Sequence, residues 1–531
     1  MLVHRITGRH QFISQQGAAV WVDTNQDVER IVGRIRQGAA RLSILVEPVV
    51  WSHDDGVAIA IEFPTDVLYT ACELLEWAVE GEDVEQVLSE YHSEENLNWR
   101  YLKEWATTNK VPFIEDEDGC TLGLGCHSTT WTLDNLPERT DLNSAEFRSI
   151  PCVYITGTNG KTTTSRLLAN VARCAGYVDG LTSSDGVLVG GRWVEKGDWT
   201  GPGAARLVLR HPEVQFAVLE TARGGLMRRG LVLCDVDAAA VTNVSDDHLG
   251  HWGLHTVKDM AKAKLSVALG IQTGGALILN ADNAALVGAW KENPRKDIKV
   301  RWFSSTTKAD ISLDGNWIVH YERGRIIQTQ DIPLALGGAA VHNVENAMVA
   351  IGLACATGIP TEAIRKGLST LLPNPENSRG RSNWYRKDQT DIILDFAHNP
   401  DGIRRLVDLG NRWTAKKRTI LLGQASDRSD AQLHSLAKEA SLLKEGQFVL
   451  KELPKHAYGE DPNLVVSKIR ESLIVEGVSE RQIMSFKDEV EAVHSVLQSS
   501  VEGEIILLVI HENLDAVLNL LIRSGADLVV S

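Results

Sequence analysis

The stretch that most restricts how this chain can fold is Val153-Tyr-Ile-Thr-Gly-Thr-Asn-Gly-Lys-Thr-Thr-Thr164, where an apolar strand runs through a glycine loop into a helix. Such a loop turns several backbone N–H groups toward one point. The helix N-terminus adds partial positive charge there, Lys161 adds a full charge, and Thr162 supplies a hydroxyl for Mg²⁺. Together these groups stabilise a polyphosphate, so ATP is the expected cosubstrate. The spacing Gly157-x-x-Gly160-Lys161 is shorter than the usual phosphate-loop pattern, and an ordinary strand-to-helix turn is the alternative reading. Lys-Thr-Thr directly after the second glycine argues against that alternative.

The surrounding pattern divides the chain into three units, each long enough for its own core. Residues 1–150 read as a small α+β domain, with a strand over 57–63, a break at Pro64-Thr65, and a helix over 67–79 whose apolar stripe is Leu68, Cys72, Leu75 and Val79. Its tryptophans, Trp99 and Trp105 among them, read as packing anchors. Residues 151–378 read as a central α/β domain with strands near 152–156, 215–220, 238–244 and 276–280. Residues 379–531 alternate strands (391–395, 419–423, 448–451, 505–510) with helices such as 432–443 and 464–474. That alternation predicts a doubly wound, Rossmann-like parallel sheet.

Composition excludes several classes. A formal charge of −16 with no basic tract leaves nothing to displace counterions from nucleic acid. No apolar run reaches membrane-spanning length, and the N-terminus lacks the apolar core of a signal peptide, so a cytoplasmic protein is expected. The seven scattered cysteines, Cys120 and Cys126-His127 included, fit no zinc spacing and read as reduced thiols.

Ligands of open α/β sheets collect beyond the carboxyl ends of the strands. Three polar groups fall at such ends: the phosphate loop, Glu220-Thr221, and Asp246-Asp247-His248. Glu220 and His248 read alone as a solvated strand end and a surface turn; beside a phosphate loop they read as Mg²⁺ ligands. Lys264 lies on the apolar side of a helix predicted over 256–269, with Val257, Met260, Ala261, Leu265 and Ala268. A snorkelling side chain accounts for that, and so does a lysine carbamylated by CO₂ into an anionic metal ligand.

At this point the chain resembles the Mur ligase superfamily. The resemblance rests on six ordered motifs: Gly157–Thr163, Asn243-Val-Ser-Asp-Asp-His-Leu-Gly250, Ala263-Lys264, Leu279-Asn-Ala-Asp282, His342-Asn-Val-Glu-Asn346 and Asp395-Phe-Ala-His-Asn-Pro400. Within it, Thr182–Gly186, Asp198-Trp-Thr-Gly-Pro202, Leu219–Gly225 with Arg228-Arg-Gly230, and Ser426-Asp-Arg428 look like the ligase half of the cyanophycin synthetases. The N-terminal unit resembles the opening region of those enzymes. They carry an ATP-grasp domain between that region and the phosphate loop. Only about 25 residues follow Gly125 before the loop here, too few for a catalytic domain.

The resemblance implies ATP-dependent amide bond formation through an acyl phosphate, with ATP and Mg²⁺ as cofactors. Gly157, Thr158, Asn159, Gly160, Lys161, Thr162 and Thr163 would cradle the phosphates. Thr162 and Glu220 would bind one metal ion, and His248 a second, helped by Lys264 if carbamylated. Asn346 would contact adenine, Arg381 the γ-phosphate and Asp395 the nucleotide. Arg379, close to Arg381, is the alternative arginine, because Ser378-Arg379-Gly380-Arg381 stands where the family has Pro-Gly-Arg. Thr182, Ser184, Asp185, Thr221, Arg223, His398 and Asn399 would face substrate; for Arg223 a structural salt bridge is the alternative. The expected partners are an amino acid, a dipeptide or an Asp-containing chain, with no nucleic acid or membrane, and homo-oligomerisation left open. A catalytically silent partner of a full-length synthetase, a muramyl-peptide or folate-type ligase, and a simple kinase or ATPase are the competing functions.

Overall fold

The computed structural model describes residues 1–53, 56–81, 84–246, 253–459 and 461–529. Near its N-terminus the chain forms an antiparallel sheet in the order Leu2–Ile6, Gly17–Val22, Gly56–Glu62, Val49–His53. Helices Val28–Arg41 and Leu68–Glu80 cover one face, burying Ile31, Ile35, Leu74 and Leu75. Of the expected stripe on the second helix, Leu68 and Leu75 are buried while Cys72 and Val79 are only partly so, and Ala71, Leu74 and Ala78 complete the buried face. Small side chains on both elements, Ala71 and Ala78 of the helix and Ala18 of the sheet, belong to this buried cluster.

Helix Leu97–Thr108 then packs on a three-stranded sheet of Phe113–Asp116, Gly119–Leu122 and Thr129–Trp131. Trp99 is buried there and donates its indole N–H to Glu115 at 2.7 Å, which fits a packing anchor. From Thr129–Trp131 the chain passes through short turns to Cys152–Thr156, and no domain intervenes.

The central sheet has eleven strands. Its seven parallel strands run in the order Asp179–Ser183, Phe216–Glu220, Cys152–Thr156, Val236–Val241, Ile271–Asn280, Lys299–Ser304, Ile311–Asp314. Antiparallel hairpins extend both edges. Helices Lys161–Cys174 and Val341–Ala356 cover one face, Pro202–Leu209, Val257–Leu265 and Ala284–Glu292 the other. Val341–Ala356 is apolar nearly all round because it is enclosed by the sheet and its neighbouring helix. The expected helix 256–269 is an α-helix only to Leu265, opened by a Thr256/Asp259 capping box, and continues as a 3₁₀ turn to Gly270.

The last sheet runs Ile483–Phe486, Gly446–Lys451, Lys417–Leu422, Glu504–Val509, Thr390–Asp395, Asn383–Lys387, Asp527–Leu528. Its first five strands are parallel and wound by helices on both faces, as the alternation predicts; Asn383–Lys387 pairs antiparallel with both of its neighbours, Thr390–Asp395 and Asp527–Leu528. Beneath it, Lys451 and Glu489 form a fully buried ion pair, and Glu489 also accepts backbone N–H groups of His511, Glu512 and Asn513. Removing one charge strands the other in a low-dielectric core. Lys451→Met should therefore lower the unfolding free energy of this unit by about 3–5 kcal/mol, read from urea denaturation.

Candidate active site

Phosphate-loop geometry follows directly from its glycines. Gly157 has φ +153°, and a Cβ there would lie 1.9 Å from Thr242 Oγ1; Gly160 has φ +85°, and a Cβ would lie 2.2 Å from Asn346 Oδ1. Any side chain at either position collides with a buried polar neighbour. The loop is further pinned by Asn243, which accepts from Asn159 N through Oδ1 at 2.9 Å and donates through Nδ2 to Asn159 O at 3.0 Å. Lys161 Nζ reaches back to the carbonyls of Gly157 and Thr158, both at 3.0 Å. Lys264, buried as its helical phase predicts, donates to Gly157 O at 2.9 Å.

At the first turn of the helix, Thr162 Oγ1 lies 3.1 Å from Ser184 Oγ and 3.2 Å from Glu220 Oε1. Glu220 is buried and its Oε2 has no hydrogen-bond partner among the described residues. Burial pushes its carboxyl upward, opposed by the cations Lys161 and Arg381. A buried carboxylate oxygen left open beside two hydroxyls is a donor set suited to a hard divalent cation. For an acid raised in the folded state, the stability it lends is complete below its unfolded value and is lost as pH rises through the folded value. Glu220→Gln should accordingly raise the thermal midpoint of ligand-free protein, by a margin that grows from pH 4 toward pH 8.

The C-terminal unit closes the site from above. Arg381 Nη2 donates to Ser184 Oγ at 2.9 Å, whereas Arg379 turns outward into an ion pair with Asp515. The left-handed residues Gly380 (φ +68°) and Ser382 (φ +53°) set those opposite directions. Asp395, its carboxyl raised by burial, accepts from Ser382 N at 2.8 Å and so braces this turn while lining the cavity. Asn399 caps helix Pro400–Arg412 through Gly402 N and exchanges amide contacts with Asn159 of the loop. Asp401 accepts from Asn159 at 3.0 Å, and Arg405 bridges Asp401 to Glu345 of the central unit at 2.9 and 2.8 Å.

These groups enclose a cavity of about 260 Å³ lined by the loop, Glu220, Asn346, Arg381, Asp395 and His398. A second cavity of about 550 Å³ shares Thr158, Lys161, Asp198, Thr200 and His398 with it. Among the described residues its walls carry Lys161, Arg223, Arg228, Arg229 and Lys264, with Asp198 the one carboxylate. Thr182 and Thr221 sit apart: Thr182 donates to Glu220 O at 3.2 Å and Thr221 to Leu219 O at 3.2 Å, so both hold the strand end. Asp185 pairs with the buried Arg166 at 2.8 Å. His248 lies outside the described residues, as does Asp247.

Residues 155–354 match the Mur ligase middle domain, and residues 380–509 match the Mur ligase glutamate ligase domain. The chain belongs to the Mur ligase superfamily. Among its relatives is a cyanophycin synthetase of Geminocystis herdmanii, 34% identical over 374 residues, covering 68% of this chain and 42% of that enzyme. The chain thus spans less than half the length of that relative. A UDP-N-acetylmuramoyl-L-alanyl-D-glutamate–2,6-diaminopimelate ligase of Clostridium botulinum is 22% identical over 373 residues, covering 68% of this chain and 72% of the ligase. The fold is shared with the bifunctional folylpolyglutamate synthase/dihydrofolate synthase of Yersinia pestis, solved with AMPPNP and Mn (TM-score 0.51, 19% identity, 71% of this chain and 89% of that one).

Several residues of this Mur ligase site were not picked out by the sequence reading. Asp198 and Thr200, hydrogen-bonded to each other at 2.7 Å, face both cavities, and Arg228 and Arg229 line the cationic one. Asp198, Thr200 and the arginine pair do stand in motifs of the family resemblance, and that was the available signal. His342, on the first cavity, opens another of those motifs, whereas Arg405 lacked even that signal, because only the docking of the C-terminal unit brings it in.

Proposed function

We propose that the chain is an ATP-dependent carbon–nitrogen ligase that activates a carboxylate as an acyl phosphate and couples it to an amine. What carries this reading is the joining of two cavities at Lys161: one built for a polyphosphate, the other walled by five cations. The nucleotide would occupy the first, with Asn346 on the adenine side. The anionic acceptor would occupy the second, its carboxylate oriented by Arg223 or Arg228 toward the phosphate end.

Thr162 and Glu220 would hold Mg²⁺, a role suited to the open Glu220 Oε2; when bound, the metal offsets the negative charge of the phosphates. Carbamylation of Lys264 belongs to the same proposal, and intact mass measured with and without bicarbonate tests it. Ser184 and Arg381 would meet the transferring phosphoryl group, and water would be kept out by closure of the C-terminal unit. Ionisable substrates with several carboxylates, such as an Asp-containing chain, suit a cavity with this excess of positive charge.

A phosphate-release screen crossing amino acids and dipeptides as acceptor and amine tests the reading, with mass spectrometry of the product. Phosphate release should require both partners and yield an amide. Release without an amine would instead indicate an ATPase or kinase, and no release with any pair would indicate a nucleotide-binding partner. With one such nucleotide cavity among the described residues, aspartate, arginine and ATP alone should give no mixed polymer.

A further inference from the structure

Helix Arg223–Arg229, which carries three of the five cations of the second cavity, is seven residues long and contains Gly224-Gly225. A helix this short has no internal redundancy, and its last carbonyls need partners from elsewhere. Those partners come from the N-terminal unit. Thr7 N donates to Arg229 O at 3.0 Å, and Leu231 N donates to Arg9 O at 2.9 Å, forming an antiparallel bridge of Arg9 with Leu231. His10 Nε2 lies 3.1 Å from Met227 O, while His10 Nδ1 accepts from Phe12 N at 3.3 Å. The Phe12 contact leaves Nε2 as the protonated nitrogen, so it donates to the helix. Burial holds His10 at about 4, which keeps that neutral tautomer in place at neutral pH.

The two segments meet too closely for side chains. A Cβ on Gly8 would lie 1.8 Å from Leu231 O, and one on Gly230 would lie 2.6 Å from Arg9 O. Arg229 also donates to Arg5 O at 3.2 Å. The N-terminal unit is therefore fastened, backbone to backbone, to the wall of the cationic cavity, and among the described residues no hydrogen bond joins it to the phosphate loop.

The geometry points to residues 7–10 as a positioning brace: by capping helix Arg223–Arg229, Gly8 and His10 set the placement of Arg223, Arg228 and Arg229 and hence the affinity for the anionic acceptor. This rests on the acceptor assignment of the second cavity. It gives the N-terminal unit a part in substrate recognition that does not require it to touch substrate.

The test uses the full chain with His10→Leu, which removes the donor, His10→Gln, which keeps an N–H at the same reach, and Gly8→Ala. His10→Leu should raise the acceptor KM about tenfold while kcat and the KM for ATP change less than about twofold, and His10→Gln should restore most of the loss. Independently of turnover, citrate serves as a tricarboxylate probe of the cationic cavity. Its Kd by calorimetry should rise in His10→Leu and Gly8→Ala, and amide exchange in residues 225–231 should accelerate. If the wild-type chain turned over no acceptor, the ligase reading would fail, and citrate affinity with amide exchange would still decide the brace. A His10→Leu protein with unchanged citrate affinity and exchange would overturn it, as would parallel losses in kcat, both KM values and thermal midpoint that His10→Gln did not rescue.

Discussion

Lys161→Ala should reduce amine-dependent ATP turnover by roughly 10³-fold, the range lost when a preorganised charge is taken from a transition state. Nothing comparable should happen to the fold. Lys161 Nζ donates to two carbonyls of its own loop, at 3.0 Å each, and its loss leaves the Asn243 and Thr242 contacts that pin that loop. Its position between the two cavities sets the size of the effect, since the amine can serve the phosphate chain and the activated carboxylate at once. Steady-state phosphate release beside a thermal melt separates the two readouts. Lys161→Arg should recover little, because the guanidinium fork is wider than the ammonium and its loop is closed over it. A Lys161→Ala protein retaining a tenth of wild-type turnover would remove the phosphate loop from the centre of the mechanism.

What the sequence made legible was whatever is encoded locally. The glycine loop depends on two backbone conformations and a helix N-terminus, all within a few residues, and Lys264 could be placed on the buried side from helical phase alone. Parallel inner strands such as Thr390–Asp395 and Glu504–Val509 are apolar on both faces and therefore stand out as runs. Edge elements were not legible. Asp527–Leu528 is two residues long and exists as a strand only because Asn383–Lys387 lies beside it. The choice between Arg379 and Arg381 is likewise decided by a turn with two left-handed residues, one of them a serine, that no local pattern announces. The cationic cavity escaped notice for a different reason. Arg228 and Arg229 belong to a motif but carry no role of their own until the strand end, the helix of Lys264 and the N-terminal segment are assembled around them. Asn399 shows the converse: a motif residue expected to face substrate caps a helix and holds the phosphate loop to the C-terminal unit.

Arg381→Ala should lower kcat by about 10²–10³-fold with a much smaller change in nucleotide affinity. Its guanidinium comes from a different unit than the loop it serves, donates to Ser184 at 2.9 Å, and keeps a buried Nε without a partner among the described residues. A buried donor left open in this way is held ready for charge that is absent from the free protein. Arg381→Lys should not rescue it, because a point charge cannot hold Ser184 and a phosphoryl oxygen in one plane. Arg405 offers the contrasting case. It binds Asp401 and Glu345 at 2.9 and 2.8 Å and joins the units without donating to the Thr162–Ser184–Glu220 cluster. Arg405→Met should therefore act through closure and move kcat and the KM for ATP together, each by roughly tenfold. Single-turnover phosphate release at saturating ATP distinguishes the two: it stays slow in Arg381→Ala, whereas in Arg405→Met it recovers part of the wild-type rate as ATP binding drives the units together. Equal, unrecovered losses in both variants would mean that Arg381, like Arg405, acts by holding the units closed.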